Sequence, residues 1–585
     1  MRARLLAILA IVLIAPVASR GLTITSGPTW TAAPNAPLAG VLELTTDFAC
    51  RVSVSVSDGT STWERNFLDF GTIHSNIVLG FKPDRTNSII VSVQDKNRNR
   101  VTLPNPVTFV TGPLPYYFPK IVLLTNNPDR MEPGYTLFRG QNNSAPAFVI
   151  IVDNAGQLVW YSSVQSTLDV RQLANGNLFI PLAETINEVN MLGETVQTWT
   201  VPDGWLVDHH DAVPSQHESI LYLSGASRVV TNFPTSATDP KAPTATTNVL
   251  YQAVIEMSAT NSELLNVWHT IDMLDPRRIS YLTFSIRTAM GWDWGHANAV
   301  IEDPRDDSLI VSLRHQNAVI KFARGTGELK WILGPHENWG PAFEPYLLTP
   351  VGTPFGWNYA QHAPKITPQG TLLLYDNGDF RASPFDTVVA DATNYSRAVE
   401  YEINEEAMEV SQVWEYASTN EPFYTPSVGD ADFLKQSGNV LVTFGNIKYV
   451  SGARPSPYSG RASMARIQEV THDPAPEVVF DLALFDYENT DSNYPGCFTY
   501  RSDRIPDLYS VLPLPVTDLT LTSRESAWLL DFSGNETRTY LVEASTNLLD
   551  WQTLGMARHL ENGNFHFVDP QTDDLPARYY RVETK

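Results

Sequence analysis

Short runs of alternating apolar and polar residues recur along most of the chain. One run starts with polar or turn-like residues, continues as an alternating segment and in five of six copies carries a tryptophan near its end. Its copies are GQLVWYSS (156–163), GETVQTWTV (193–201), SELLNVWHT (262–270), GELKWILG (327–334), MEVSQVWEY (408–416) and APEVVFDLA (475–483). A period of two is typical of β-strands, and no helical periodicity of useful length competes with it.

A second run lies between the copies of the first and consists of turn residues followed by alternating apolar positions. Its copies are NGNLFIPLA (175–183), HESILYLSG (217–225), DSLIVSLRH (307–315), QGTLLLYDNG (369–378) and SGNVLVTFGN (437–446). Two strand types that alternate five or six times are typical of the blades of a β-propeller. We therefore predict an all-β protein with a propeller over residues 116–510, in which long loops between some blades build the functional site.

The flanking segments have different patterns. Residues 20–115 contain short alternating strands separated by turns, which predicts an N-terminal β-sandwich. The composition changes at about residue 511, and residues 511–585 predict a small C-terminal β-sandwich-like domain with a role in interaction or attachment. We expect three domains after an N-terminal leader.

The leader is the segment 1–19. Arg2 and Arg4 precede the apolar run LLAILAIVLIAPV and the small residues Ala18 and Ser19. This layout is that of a secretory signal peptide, because the apolar run is too short to span a bilayer. No later stretch approaches 18 consecutive apolar residues, so we expect no membrane span and a periplasmic or secreted protein.

Charge and cysteine content exclude several function classes. The formal net charge is −24, and removal of Arg2 and Arg4 makes it −26. Such an acidic surface argues against nucleic acid and anionic membranes as partners. The two cysteines, Cys50 and Cys497, exclude a disulfide framework and a four-cysteine zinc site, and they could pair only if their domains touch.

Three histidines occupy equivalent positions in successive repeats. His210 in DHHD, His296 in WGHAN and His362 in YAQH each fall shortly before a strand of the second type. Equivalent positions in successive propeller blades converge on the central axis, so we expect these imidazoles to meet at the mouth of the channel. Arg314, at the end of SLIVSLR, would join them.

Other histidines are interpreted as structural. Adjacent side chains on a strand point to opposite faces, so only one of His209 and His210 is expected to face the site. By the same argument His315 should point away from Arg314. The remaining histidines are His74, His217, His269, His336, His472, His559 and His566.

The segment WDWGHANAVIEDPRDDSLIVSLRHQNAVIKFARGTGELKWILG resembles the bacterial arylsulfotransferases that work without a nucleotide sulfate donor. The motifs HHD, QH…LLLYDNG, NYSRAVEYEI and YTPSVGDADFLKQSGNVLVTFGN add to the resemblance, which covers roughly residues 115–510. It implies a six-bladed propeller with an N-terminal β-sandwich. It also implies ping-pong transfer of a sulfuryl group from a phenolic sulfate ester to another phenol through a sulfated histidine.

The resemblance implies roles for individual residues. His362 would be the nucleophile, and Arg314 would stabilise the sulfuryl oxygens. His296 and His210 would complete the catalytic set, with a proton transferred by one of them. Asn298 and His209 would contact substrate. No cofactor and no metal would be needed.

The resemblance is incomplete in two places. The short-spaced cysteine pair that some family members oxidise is absent, so a dedicated disulfide-forming partner is not expected. The segment after residue 511 is additional and says nothing against the chemistry. Trp292, Trp294, Trp357 and Tyr359 could form an aryl-binding mouth, although such residues also pack propeller blades.

Two rival interpretations use the same residues. The histidines could bind zinc or copper, but the fixed cation Arg314 beside them would repel a metal. The chain could also be a non-catalytic exported propeller that binds an aryl or anionic ligand. The sequence identifies neither the natural donor nor the acceptor, and it leaves a homodimer open.

Overall fold

The computed structural model describes residues 21–584, except 143–145, 164–168, 209, 419–421, 453–463, 486–496, 510–516, 525–526, 535–539, 547–550, 561–563 and 571–577. The predicted signal peptide therefore lies outside the described residues. The described part contains 44 strands and a single α-helix of four residues, Thr270–Met273. Short 3₁₀ helices are Leu282–Phe284, Arg314–Gln316, Glu344–Tyr346 and Asp391–Thr393. The prediction of an almost purely β protein is confirmed.

The first six strands form one connected antiparallel sheet. The long strand β2 (Gly40–Ser57) pairs with β3 along one edge. Along its other edge, the first half of β2 pairs with β1 and the second half pairs with β4. Val52, Val54 and Val56 on β2 are all buried, as a period of two requires. These strands, β1 to β6, are Ile24–Ala32, Gly40–Ser57, Thr62–Val78, Thr86–Asp95, Arg100–Thr102 and Val107–Val110.

The central strands run from β7 to β37. In chain order they are Lys120–Asn126, Tyr135–Asn142, Phe148–Asp153, Leu158–Ser162, Arg171–Gln172, Leu178–Pro181, Thr185–Val189, Thr195–Thr200, Ala212–Pro214, Ser219–Phe233, Ala245–Ser258, Leu264–His269, Arg287–Thr288, Gly291–Asp293, Ala297–Asp303, Ser308–Leu313, Ala318–Ala323, Leu329–Leu333, Thr349–Pro350, His362–Ile366, Leu372–Asp376, Arg397–Asn404, Glu409–Tyr416, Phe423–Tyr424, Asp430–Phe433, Val440–Ile447, Tyr449–Val450, Met464–Val470, Val478–Phe485, Cys497–Phe498 and Ser502–Ile505.

Most of these strands belong to six sheets that follow one another along the chain. Sheet one contains β8, β9 and β10; sheet two, β11 to β14; sheet three, β15 to β18; sheet four, β21 to β24; sheet five, β26 to β29; and sheet six, β31, β32, β34 and β35. Every run of the first sequence type forms the last of these strands in its sheet. Every run of the second type forms the second strand of sheets two to six. Both recurring runs were therefore correctly predicted as strands.

The beginning and end of this region are joined by strand pairing. Strand β7, which precedes sheet one, pairs with β35 of sheet six. Strands β36 and β37, which follow sheet six, pair with β8 of sheet one. Strands β36 and β37, from the end of the region, thus extend sheet one, and strand β7, from its beginning, extends sheet six.

The recurring tryptophans connect neighbouring sheets. Each indole Nε1 lies on the last strand of one sheet and donates a hydrogen bond to the turn between the third and fourth strands of the next. These bonds are Trp160 to Met191 O (2.8 Å), Trp199 to Ala259 O (2.7 Å), Trp268 to Arg324 O (3.1 Å), Trp331 to Glu405 Oε1 (3.0 Å) and Trp414 to Asp473 O (3.1 Å). A mostly buried indole needs such an acceptor, which accounts for the tryptophan at this position in five of the six repeats.

The last seven strands form two small sheets. Tyr540 of the second sheet packs on Phe565 and Phe532 of the first, with ring centroids 4.6 Å and 5.4 Å apart. The strands, β38 to β44, are Thr517–Arg524, Ala527–Ser533, Tyr540–Ser545, Gln552–Met556, Arg558–His559, Asn564–Asp569 and Tyr579–Thr584. The domain boundaries near residues 115 and 510 stay predictions.

Two further sequence expectations concern the chain as a whole. Cys50 and Cys497 are both buried and are not joined by a disulfide. Within the described ranges, none of the helices has the length and apolar character needed to cross a bilayer.

Candidate functional site

The three predicted histidines lie where sheets three, four and five begin. His210 stands two residues before β15, His296 directly precedes β21, and His362 is the first residue of β26. His210 Nε2 and His296 Nε2 are 3.0 Å apart. The ring of Tyr500 lies 5.8 Å from that of His210 and 6.1 Å from that of His362, so it sits beside both.

His296 is oriented by a carboxylate. Its Nδ1 lies 2.6 Å from Oδ2 of the buried Asp293, so Nδ1 carries a hydrogen and donates it. Nε2 is left to exchange a proton with His210 or with another group. His296 also has a φ of +47°, a left-handed conformation that costs a non-glycine residue about 1 kcal/mol or more and often marks a functional position.

His362 is oriented by a neutral amide. Its Nδ1 lies 2.6 Å from Oδ1 of Asn377. The amide nitrogen of Asn377 donates to Thr425 O and Val428 O, at 2.8 and 2.7 Å, which fixes the amide orientation and leaves Oδ1 as an acceptor. His362 therefore carries its hydrogen on Nδ1 and a lone pair on Nε2.

The charge state of His362 follows from its surroundings. The side chain is almost completely buried. Burial, and after it the positive charge of Arg314, hold its pKa well below the ordinary value for histidine. The imidazole is thus neutral at neutral pH, with a nucleophilic nitrogen available.

Arg314 is held by three acceptors. Its Nη2 donates to Asp379 Oδ2 and to Pro426 O, both at 2.8 Å, and its Nη1 donates to His315 Nε2 at 2.8 Å. Nε is buried and has no hydrogen-bond partner among the described residues. The Nε–H of this guanidinium is therefore a buried donor that an anionic ligand could use. Burial raises the pKa of Asp379 to about 6, although the positive charge of Arg314 acts to lower it.

The expectation that His315 points away from Arg314 is wrong. The alternation of β22 stops at Leu313, because Arg314–Gln316 form a 3₁₀ turn that puts both side chains on the same side. The His315 ring stacks on His296, with centroids 4.3 Å apart and planes 19° apart. Its Nδ1 donates to Asp293 O at 2.5 Å, and its Nε2 accepts from Arg314.

Asn298 links two sheets. It is fully buried, and its amide nitrogen donates to Gln361 O at 2.8 Å. Its backbone oxygen accepts hydrogen bonds from Tyr500 Oη at 3.0 Å and Arg501 Nη2 at 2.9 Å. A substrate contact of Asn298 stays a prediction, and His209 lies outside the described residues.

The predicted aromatic mouth needs one correction. Trp294 is completely buried, and its Nε1 donates to Arg278 O at 2.8 Å, so it packs the sheet and cannot contact a ligand. Trp292, Trp357 and Tyr359 are half-buried. They keep the accessible edges that a contact with an aryl group requires.

The sequence interpretation missed several residues that build the site. Asn377 was counted only as part of a turn in LLLYDNG, and Tyr500 and Arg501 follow the last repeat. Arg501 Nη1 pairs with Asp211 at 3.0 Å and Asp169 at 3.2 Å, so it joins the segments that directly precede β15 and β11. The only sequence signal for the last two was the pair of aromatic and basic residues in CFTYRSD.

A metal does not fit the trio Asp293, His296 and His315. Their ligand atoms are close enough to share an ion. However, Nδ1 of His315 donates its hydrogen to a carbonyl and Nε2 accepts from Arg314, so neither nitrogen has a lone pair to offer. The zinc or copper interpretation of His210, His296 and His362 is not tested by this observation.

Comparison with known proteins gave matches at the level of sequence. The family model described as Arylsulfotransferase (ASST) matches residues 120–494. Two curated relatives named arylsulfate sulfotransferase, from Escherichia coli O6:H1 and Lelliottia amnigena, are 25% and 23% identical over 369 residues. Each match covers 53% of this chain and 59% of the relative, so the chain aligns with a little over half the length of these proteins.

Similarity to solved structures is weak. A protein of unknown function from Bacteroides caccae aligns with 62% of this chain and 98% of its own, at 11% identity and a TM-score of 0.34. A score this low supports no conclusion about fold or function.

Proposed function

The chain belongs to the arylsulfotransferase family, and from that premise we propose that it moves a sulfuryl group from a phenolic sulfate ester to another phenol. The transfer would be ping-pong, with a sulfated His362 as the covalent intermediate. The donor and the acceptor are small aryl molecules, and this chemistry needs no nucleotide.

One observation carries the assignment of roles. His362 is held by the neutral amide of Asn377, whereas His296 is held by the carboxylate of Asp293. A carboxylate stabilises a protonated imidazole, but an amide does not do so to the same degree. His362 is therefore suited to attack as a neutral nucleophile, and His296 is suited to gain and lose a proton.

In the first half-reaction, Nε2 of His362 attacks the sulfur and the bond between sulfur and the phenolic oxygen breaks. The departing oxygen takes the bonding electrons and receives a proton from protonated His296. The product is an N-sulfonated imidazolium that keeps its hydrogen on Nδ1. Because Asn377 does not neutralise this cation, the nitrogen–sulfur bond stays reactive.

In the second half-reaction, neutral His296 takes the proton of the acceptor phenol as its oxygen attacks the sulfur. The nitrogen–sulfur bond breaks and returns its electrons to Nε2 of His362. His210, whose Nε2 lies 3.0 Å from that of His296, would assist by sharing this proton. Asn298 and His209 remain proposed substrate contacts.

Arg314 would stabilise the charge on the sulfuryl oxygens. Sulfuryl transfer resembles phosphoryl transfer, in which negative charge is spread over three equatorial oxygens. A buried guanidinium with a free Nε–H acts on such charge more strongly than it would in water. Three of its other donors are already committed to Asp379, Pro426 and His315, so its position costs little reorganisation.

The six sheets would be the blades of a six-bladed propeller. The pairing of β7 with β35 and of β37 with β8 supports a closed ring, because it joins sheet six and sheet one to segments from opposite ends of the region. The five tryptophan bonds support side-by-side packing of successive sheets. Residues 20–115 and 511–585 would be the N-terminal β-sandwich and the C-terminal β domain.

We retain export to the periplasm or outside the cell as part of the proposal. It rests on the sequence of residues 1–19. A homodimer is compatible with the proposed function.

The decisive test is release of 4-nitrophenol from 4-nitrophenyl sulfate with and without added phenol and without nucleotide. We expect release that depends on phenol, with sulfate appearing on the phenol, because the intermediate needs an acceptor. For histidine-to-alanine variants of the site, His217→Ala is the matched control. This exposed histidine pairs with Asp307, and its replacement should leave the rate unchanged. No release across a panel of aryl sulfates and acceptors would contradict the proposal and favour a non-catalytic binding protein.

The pH dependence of His362 sulfation gives a second test. In single turnovers with 4-nitrophenyl sulfate, whose phenolate leaves without a proton, the rate should show no decrease from protonation of His362 between about pH 7.5 and 6. The pKa of His362 is lowered, so the nucleophile stays neutral as the pH falls. A histidine with the ordinary pKa of about 6.5 would lose about three quarters of its neutral form at pH 6.

Asn377→Asp is the control for this measurement. A carboxylate beside Nδ1 would raise the pKa of His362, so the rate should then fall as the pH decreases. Asp379, with a pKa of about 6, also titrates next to Arg314 in the lower part of this range, so the difference between the two proteins, rather than either profile alone, reports on His362. Equal profiles for the two proteins would argue against a tuned, neutral His362.

A further inference from the structure

We propose that His315 is a positioning residue, which holds Arg314 in the orientation that receives the sulfuryl oxygens and ties it to the segment carrying His296. The inference rests on the proposed function and extends it to a residue that contacts no substrate. It concerns the three contacts of a single buried ring: one with Arg314, one with the backbone of Asp293 and one with His296.

The hydrogen bonds of His315 permit one arrangement. Its Nδ1 gives a hydrogen to Asp293 O, at 2.5 Å, and Nε2 then has only a lone pair, which accepts from Nη1 of Arg314 at 2.8 Å. A protonated His315 would place a hydrogen against the guanidinium. The ring is completely buried, and burial, then the charges of His296 and Arg314, hold its pKa well below the ordinary value.

The backbone around His315 joins the same two segments. The amide nitrogens of Arg314 and His315 donate to His296 O and Gly295 O, both at 3.2 Å. The side chain of Gln316 donates to Trp294 O at 2.7 Å. The turn that carries Arg314 is therefore fastened along the segment that carries His296 and its orienting carboxylate.

The stacking of His315 on His296 completes the link. The two rings lie nearly parallel, so a shift of His315 would displace the proton-transferring imidazole as well as the guanidinium. Misplacement of a catalytic group by about 1 Å can cost about 100-fold in rate. A ring that touches both groups can impose this cost without touching the substrate.

Three substitutions separate the contacts of His315. His315→Gln can present an oxygen to Arg314 at the position of Nε2, but it loses the ring. His315→Asn can keep a donor for Asp293 O at the position of Nδ1, but it loses the acceptor. His315→Phe keeps a ring to stack on His296 and loses both hydrogen bonds.

The experiment measures kcat and KM of these variants with 4-nitrophenyl sulfate and with the sulfate ester of a weakly acidic phenol. We expect His315→Phe and His315→Asn to reduce kcat by about 10- to 100-fold. With 4-nitrophenyl sulfate, whose phenolate leaves without a proton from His296, His315→Gln should recover most of that loss. In His315→Phe, which keeps the ring that stacks on His296, the reduction should be similar for both donors, because Arg314 binds sulfuryl oxygens that both donors have. A loss confined to the weakly acidic phenol would instead point to His296 and overturn the inference.

A double-mutant cycle tests whether His315 acts through Arg314. In an Arg314→Met background, adding His315→Phe should change the rate less than about threefold, because the group it positions is already gone. Full additivity of the two losses, or equal losses for His315→Gln and His315→Phe, would contradict the inference. Thermal unfolding of each variant identifies losses that come from misfolding.

A binding measurement keeps this test separate from the proposed function. An aryl sulfonate presents the same anionic oxygens, but its carbon–sulfur bond cannot be transferred. Its Kd, measured by calorimetry, should rise most in Arg314→Met, by a smaller factor in His315→Phe and little in His315→Gln. This pattern would support the role of His315 even if the wild-type protein turned over no aryl sulfate, and its absence would refute that role.

Discussion

Replacing His362 by alanine is expected to reduce sulfuryl transfer about 10⁴-fold or more, the scale on which the loss of a covalent nucleophile is measured in other enzymes. No other histidine in the described site has a free, neutral nitrogen fixed by its surroundings. His296 and His210 direct their Nε2 atoms at each other, and His315 uses both of its nitrogens in hydrogen bonds. The measurement is nitrophenol release with excess phenol.

The covalent intermediate gives a more specific readout for His362. Brief exposure of the wild-type protein to an aryl sulfate without acceptor should add the mass of one sulfuryl group, and His362→Ala should add none. His217→Ala is a suitable control, because this exposed histidine pairs with Asp307 and lies outside the cluster. Sulfated protein in His362→Ala, with none in His296→Ala, would reverse the two roles.

Replacing Arg314 by methionine is expected to lower kcat by about 10³-fold or more, as loss of an arginine that stabilises a transferring phosphoryl group does. Methionine has a comparable length but no charge and no donors. KM should change much less than kcat, because the charge on the sulfuryl oxygens is best matched in the transition state. Arg314→Lys, which keeps the charge without the planar fork, should recover only part of the loss.

The dependence on the leaving group distinguishes Arg314 from His296. Arg314→Met should slow esters of strongly and weakly acidic phenols alike. His296→Ala should slow mainly the weakly acidic ones, whose phenolates need a proton to leave. Removal of Arg314 also leaves the carboxylate of Asp379 without its cation, so thermal unfolding must be followed in parallel. A loss for Arg314→Met that is no larger than its loss of folded protein would argue against a catalytic role.

The strand pattern could be predicted because each repeat contains its own signal. Turn residues, a period of two and a tryptophan in five of the six repeats are local features, and each of these tryptophans donates a hydrogen bond to the next sheet. The positions of His210, His296 and His362 were visible for the same reason, since each lies at the start of the first strand of its sheet or within two residues before it.

Other parts of the site could not be predicted because they depend on distant or irregular segments. Tyr500 and Arg501 reach Asn298 across about 200 residues through strand exchange between the ends of the repeat region. His315 was misplaced because a 3₁₀ turn interrupts the alternation that the prediction assumed. Asn377 carried no signal, since an asparagine before glycine is ordinarily part of a turn.

The pairing of β37 with β8 makes the order of synthesis important. The ribosome completes all three histidines, Arg314 and Asn377 before it adds Tyr500, whose ring lies beside His210 and His362, and Arg501, which donates to Asn298 O. Until the segment around residues 497–505 emerges, sheet one lacks strands β36 and β37, and Tyr500 is not yet in place beside the histidines. A growing chain therefore contains every residue of the proposed nucleophile and arginine pair well before that site is assembled, and assembly waits for a strand from the far end of the repeat region.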